Sequence, residues 1–135
     1  MWIISKQFTF ESAHKLPAHD GKCQRLHGHS WKGTLFIGSD SLIPTGSKQD
    51  MVMDYGDIKA SFKDILDNKL DHQYLNESLG LENPTSEKIA EWLYFELINK
   101  LPNLIGVLIN ETCTSSCFYT QRSGIDLSVA SPLLG

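Results

Sequence analysis

The sequence predicts an α+β fold, a four-stranded antiparallel sheet with two helices on one face. Three observations predict it. Apolar residues alternate at every second position in two segments near the N-terminus, and they recur every three or four positions through the middle of the chain. Two further strand-like segments follow Pro102. The order is strand, strand, helix, helix, strand, strand, and such segregation packs helices against one side of an antiparallel sheet.

The elements follow in order. Lys6–Phe10 alternates polar and apolar residues, with Phe8 and Phe10 on one face, and forms the first strand. The polar, turn-rich Pro17–Arg25 forms a loop. Ser30–Ile37 carries Trp31, Leu35 and Ile37 in phase and forms the second strand. Gly38–Asp50 is a loop by composition. Ile58, Phe62, Ile65, Leu66 and Leu70 then line one helical face, with Asp54 or Asp57 placed to cap its start. The second helix begins near NPTSE, where Asn83 or Thr85 suits the N-cap and Pro84 the first turn. Ile89, Leu93 and Leu97 form its buried stripe, Trp92 lies beside it, and Pro102 stops it. Leu104–Glu111 and Phe118–Gln121 are the last two strands. Residues 1–123 form one domain, and 124–135 are a tail with little pattern.

Composition narrows the class. The 135 residues are 41% hydrophobic and 21% charged, which suits one globular domain and excludes disordered, collagenous and coiled-coil chains. A net charge of −4 offers no general basic field to nucleic acid. No apolar run approaches the ~20 residues that span a bilayer, so no membrane partner is expected. The start MWIISKQFTF lacks a signal-peptide pattern. Cys23, Cys113 and Cys117 make an odd count, consistent with reduced thiols and a cytoplasmic setting.

Chemistry concentrates in Cys23-Gln24-Arg25-Leu26-His27-Gly28-His29. Side chains two apart on a strand share a face, with Cα atoms about 6.6 Å apart, so His27 and His29 can converge on one ion. His14 follows the first strand. Antiparallel pairing of the two strands brings it beside the HGH pair. An HxH pair alone is a weak signal. A third strand-end histidine and a nearby cysteine strengthen it. Three imidazoles suit Zn²⁺ and leave a coordination position open, as catalytic sites do, while Fe²⁺ or another divalent ion also fits. Cys23 is either a fourth ligand closing a structural site or a thiolate base beside the metal. His19 lies in the loop as a bystander.

Three other places carry weight. Asp71-His72 follows the first helix, and a histidine oriented by a carboxylate is a common proton relay. Neighbours in a chain seldom face each other, so the alternative is an exposed helix-end histidine. Glu111 ends its strand in phase with Val107 and Ile109, although an unpaired buried carboxylate is costly. It is either solvated at the strand end or aimed at a ligand with paired N–H donors, as pterins and guanines present. Cys113 and Cys117 are spaced CxxxC, a poor match to a metal knuckle, and are expected to be structural thiols.

The stretches FTFESAHKLP, CQRLHGHSW, MVMDYGDIK, LDHQYLN, LENPTSEKIAEWL and ETCTSSCFY, in this order, resemble the 6-pyruvoyl-tetrahydropterin synthase family, and within it the bacterial branch of the queuosine pathway. The resemblance spans roughly residues 6–121. It implies the T-fold (tunnelling fold), whose subunits join their sheets into a barrel as trimers or hexamers with sites at subunit interfaces. It implies zinc held by His14, His27 and His29, Cys23 as catalytic base, Asp71 and His72 as a relay that a neighbouring subunit can supply, and Glu111 as pterin anchor. Substrate contacts are implied at Glu111, Thr85, Ser86 and Arg25, with Lys22, Arg25 and Lys32 as cationic candidates for a triphosphate. The implied reaction converts 7,8-dihydroneopterin triphosphate to 6-carboxytetrahydropterin, acetaldehyde and triphosphate, with no nicotinamide or flavin. The alternatives are the sibling reaction, which eliminates triphosphate without cleaving the side chain, and a pterin- or zinc-binding protein without turnover. The 38–50 loop and the tail look longer than the compact bacterial pattern.

Overall fold

The computed structural model describes residues 1–125. Its long strands are β1, Trp2–His14, and β2, His27–Ser39. They pair antiparallel over their whole length, from Trp2 opposite Ser39 to His14 opposite His27. Both exceed the predicted segments, because pairing carries the alternation through polar residues that show no hydrophobic period. Gly38 and Ser39 therefore belong to β2 and not to the loop that follows.

The middle of the chain is helical. Helix α1, Tyr55–Ile65, starts at Asp54, whose carboxylate accepts the Gly56 N–H at 2.7 Å. That is one of the two predicted caps, and it leaves Asp57 in the first turn. The helix runs into one π-helical turn, Leu66–Leu70, which buries Leu70 and delivers the chain to Asp71. Two residues, Gln73–Tyr74, form β3, and Leu75–Ser78 form the short helix α2. Helix α3, Ser86–Leu97, is capped by Thr85, whose hydroxyl accepts the Lys88 N–H at 3.2 Å. Pro84 thus precedes the cap and does not occupy the first turn. Pro102 lies beyond the helix end at Leu97, so the helix stops before the proline is reached.

Strands β4, Leu104–Thr112, and β5, Ser115–Thr120, complete a five-stranded sheet in the order β3-β1-β2-β4-β5. This corrects the expectation of a four-stranded, purely antiparallel sheet. Strand β3 pairs parallel to β1 at Ser12 and Ala13, and two residues are too few to show any period. The sheet is open within the chain: the edge of β1 before Glu11 and the outer edge of β5 are unpaired among the described residues.

Alternation gives the sheet two unlike faces. Phe8, Phe10, Trp31, Leu35, Ile37, Val107 and Ile109 point toward α1 and α3, where Ile58, Phe62, Ile89, Leu93 and Leu97 complete the main core. The rings of Phe10 and Trp31 stack 5.8 Å apart across β1 and β2. Opposite Phe8 stands Gly33, where a Cβ would collide with the Phe8 ring, so only glycine leaves room for it. The other face carries a small cluster of Phe36, Ile105 and Leu108 at one end. No helix among the described residues is long and apolar enough to cross a membrane. The predicted tail falls beyond the described residues after Ile125.

Candidate metal centre and proton relay

Beyond the core, the helix-facing side of β1 and β2 turns polar. The alternation that buries Phe10 and Trp31 places Ser12 and His14 on β1 and His29 and His27 on β2 on that same side. His14 is 0% exposed. The three ring centroids lie 4.6, 4.8 and 5.2 Å apart, and one nitrogen from each ring falls within 4.8 Å of the others. Trp31 closes the inner wall, edge-on to His14 and His29 at 5.0 and 5.2 Å, with its indole N–H donated to the Ser12 carbonyl at 3.1 Å.

Each ring is oriented from outside or aimed inward. His14 Nδ1 lies 2.9 Å from the Pro84 carbonyl, and His27 Nδ1 lies 2.7 Å from the Arg25 carbonyl. A carbonyl accepts only, so both Nδ1 atoms carry the proton and both Nε2 atoms present a lone pair. The Nε2 atoms of His14 and His29 are buried without a hydrogen-bond partner among the described residues. A buried polar atom left unpaired costs about 1–3 kcal/mol. A cation between the rings would satisfy both. Burial pushes the His14 imidazole below its ordinary value. Burial also lowers His29, against the opposing pull of Glu111. Neutral imidazole is the ligating form, so this environment favours metal binding near neutral pH. Three imidazole donors, two of them with Nδ1–H groups tied to carbonyls, suit a divalent transition ion.

Glu111 enters from the third direction. Between Asn110 and Thr112 the β4–β5 register shifts, and Glu111 is the extra residue of a bulge. Bulges re-aim side chains. Here the Glu111 carboxylate comes 3.6 Å from His29 Nε2, partly accessible. The sequence parity was right, and the bulge supplies what parity alone cannot.

Cys23 sits in a tight turn, Lys22–Gln24, with its carbonyl accepting the Leu16 N–H at 2.8 Å. Lys22, Cys23 and His27 line one hollow of about 240 Å³. Cys23 lies outside the group of potential ligand atoms, which favours the role beside the metal over that of a fourth ligand. Arg25 is exposed and contributes its carbonyl to His27. Lys32 lines a hollow with Ser30, Asn110, Thr112 and Cys113 on the other side of β2 from the imidazoles.

Asp71 and His72 do face each other, against the rule for chain neighbours. His72 Nδ1 is 3.0 Å from Asp71 Oδ2. His72 reaches it with φ at 57°, a left-handed conformation that costs roughly 1–2 kcal/mol for a non-glycine residue. The histidine side chain is 81% exposed. The other Asp71 oxygen accepts the Glu11 N–H at 2.9 Å, and the His72 N–H donates to the Glu11 carbonyl at 2.7 Å. The Glu11 N–H, then the His72 ring, hold the Asp71 carboxyl below its ordinary value.

The remaining candidates are plainly placed. Thr85 spends its hydroxyl on the α3 cap, and the Ser86 hydroxyl donates to Glu87 at 2.9 Å. Both stand next to Pro84, at the end of α3 that approaches His14. His19 Nδ1 accepts the Gly21 N–H at 2.8 Å and takes no part in the triad. Cys113 is exposed, which corrects its reading as a structural thiol: it stands at the β4–β5 turn, where no core covers it. Cys117 is half-buried, and burial, then the Glu87 charge, pushes its thiol up. Sequence reasoning missed the Pro84 and Arg25 carbonyls. Main-chain acceptors leave no trace in residue identity.

The family model described as 6-pyruvoyl tetrahydropterin synthase matches residues 3–122. A Synechocystis sp. protein named 6-carboxy-5,6,7,8-tetrahydropterin synthase is 53% identical over 120 residues, covering 88% of this chain and 93% of the relative. A Haemophilus influenzae protein of the same name is 32% identical over 142 residues, covering 90% of this chain and 100% of its own. Among solved structures, Caenorhabditis elegans 6-pyruvoyl tetrahydropterin synthase superposes with a TM-score of 0.78 at 24% identity, over 90% of this chain and 96% of that one, a likeness of fold.

Proposed function

Because the chain belongs to the 6-pyruvoyl tetrahydropterin synthase family, we propose that it is the lyase that converts 7,8-dihydroneopterin triphosphate and one water to 6-carboxy-5,6,7,8-tetrahydropterin, acetaldehyde and triphosphate, a cytoplasmic step of queuosine formation. The observation that carries this reading is the convergence of His14, His27 and His29, with buried Nε2 atoms left unpartnered. The names borne by the bacterial relatives support the carboxy-pterin product over the pyruvoyl one.

His14, His27 and His29 would hold Zn²⁺, which when bound supplies a Lewis acid for the hydroxyls of the substrate side chain. The protein's own groups do the rest. Glu111, partly accessible beside His29, accepts the two in-plane N–H groups of the pterin and fixes the ring. Thr85 and Ser86, at the end of α3 nearest His14, flank the ring. Cys23 shares a hollow with His27 and takes a proton from the side chain as thiolate. His72, its Nδ1 turned to Asp71, presents Nε2 outward to give or take the proton on the side-chain oxygen. The redox change is internal to the pterin, so no nicotinamide or flavin is needed.

The dyad stands at one edge of the open sheet, and among the described residues β1 before Glu11 and the outer edge of β5 are unpaired. Bare strand edges invite pairing. A homotrimer, or two trimers back to back, would join β1 of one copy to β5 of the next, close the sheets into a barrel and carry His72 to a neighbour's site.

A product assay tests the function. Zinc-loaded protein is incubated with 7,8-dihydroneopterin triphosphate without oxygen, and pterins and acetaldehyde are identified by mass spectrometry. Carboxy-pterin with acetaldehyde is expected. Pyruvoyl-pterin alone would assign the sibling reaction. Intact substrate in the presence of bound zinc would make the chain a binding protein.

A further inference from the structure

Residues 70–76 are laced onto residues 11–15 of β1. Beyond the paired Glu11 bonds to Asp71 and His72, the Ser12 hydroxyl donates to the Leu70 carbonyl and accepts the Gln73 N–H at 3.2 Å. Asn76 grips Lys15 from both sides: its carbonyl oxygen accepts the Lys15 N–H at 3.0 Å, and its amide donates to the Lys15 carbonyl at 2.9 Å. The same amide donates to the Glu82 carbonyl at 3.2 Å. Ser12 is 7% exposed and stands opposite His29 in the β1–β2 register. Two side-chain clamps therefore hold the relay segment, Ser12 bonding it before and after the left-handed His72 and Asn76 bonding it farther along.

We propose that Ser12 and Asn76 are positioning residues for the Asp71–His72 relay, fixing where on the β1 edge His72 presents its free nitrogen. The proposal rests on the reading of that pair as the proton relay. The Glu11 bonds and the two-residue β1–β3 ladder hold the main chain around the pair. The Ser12 bonds fix the chain before and after the pair, and the Asn76 bonds fix its exit. A strained φ at His72 persists only where its surroundings over-determine it, and these clamps are what surrounds it. Ser12 lines a hollow with His29, but its hydroxyl is bonded to Leu70 and Gln73, and Asn76 is bonded to Lys15 and Glu82, so both act through the segment that carries His72.

Double-mutant kinetics test this. Ser12→Ala and Asn76→Ala are each made alone and in a His72→Ala background, with zinc content measured for every protein. The expected result is a kcat about 10- to 100-fold lower for each single variant, with KM and zinc content unchanged, since an ångström of misplacement costs on that order. In the His72→Ala background neither substitution should lower kcat by more than about 2-fold, because the group they position is gone. Equal losses in both backgrounds, or loss of zinc from the single variants, would overturn the proposal. Wild-type kcat in both single variants, with His72→Ala impaired, would overturn it and leave the relay standing. Full activity of His72→Ala would remove the relay and the proposal together. If one clamp variant does not fold, the other decides.

Discussion

His14 and His27 face each other directly across β1 and β2, as register partners with ring centroids 4.6 Å apart. That single pairing converts two histidines separated by a polar loop into one wall of a site, and His29 completes it from the same strand face.

Removing one ligand should therefore remove the metal. His27→Ala is expected to lose bound zinc and turnover together, with a metal affinity at least 100-fold lower, since even outer partners of metal ligands are worth 10–100-fold. Metal analysis of the purified variant checks it. Retention of stoichiometric zinc would show that the triad is not the ligand set.

Cys23→Ala separates the two roles open to this thiol. Outside the ligand group and beside His27, it should keep its zinc and lose most of its turnover, by about 10²–10⁴-fold as for a lost general base. Zinc loss in this variant would make Cys23 a ligand.

Glu111→Gln tests the anchor. A neutral amide replaces one of the two acceptor oxygens with an NH2 donor, so it cannot receive two side-by-side N–H groups, and KM should rise by about 10- to 100-fold, the worth of charged hydrogen bonds. Steady-state kinetics at constant zinc loading gives the number, and unchanged KM and kcat would remove Glu111 from substrate recognition.

Asp71→Asn should slow turnover and spare zinc. It also carries a pH signature. The folded-state pKa of Asp71 lies below its ordinary value of 3.8, mainly through the Glu11 N–H. The stability it contributes is then fully present above the unfolded value and fades as pH falls through the lowered one. Urea midpoints of wild type and variant should differ at pH 6–7 and converge below about pH 3.8. A gap that persists undiminished at pH 3 would mean that ionised Asp71 is not what holds the pair.

Gly33→Ala should destabilise the sheet. The added methyl meets the Phe8 ring, and overpacking of this kind costs about 1–3 kcal/mol. Thermal unfolding of apo protein should show a lower Tm, and Phe8→Leu in the same chain should recover part of it by making room.

The site was legible in the sequence where chemistry lives in residue type and spacing. His27 and His29 had to share a face, and His14 joined them once β1 and β2 paired. The core stripe of α3 was equally legible, because Ile89, Leu93 and Leu97 repeat at helical period and are all buried. What escaped was written in the main chain. The bulge at Glu111, the left-handed φ at His72 and the carbonyls of Pro84 and Arg25 depend on tertiary contacts that no local period encodes. Strand β3 escaped because two residues are too few to alternate. The contact between Asp71 and His72 was left open because chain neighbours seldom face each other, and the left-handed turn is the exception that allows it.

In the proposed trimer, the exposure of His72 beside the edge of β1 has a genetic consequence. A triad that looks inward and a relay that looks outward can fail independently, in different copies of one polypeptide. Two defective alleles, one altered at His27 and the other at His72, would then repair each other when co-expressed. Some mixed assemblies would set an intact triad against an intact relay, although neither chain alone could turn over its substrate.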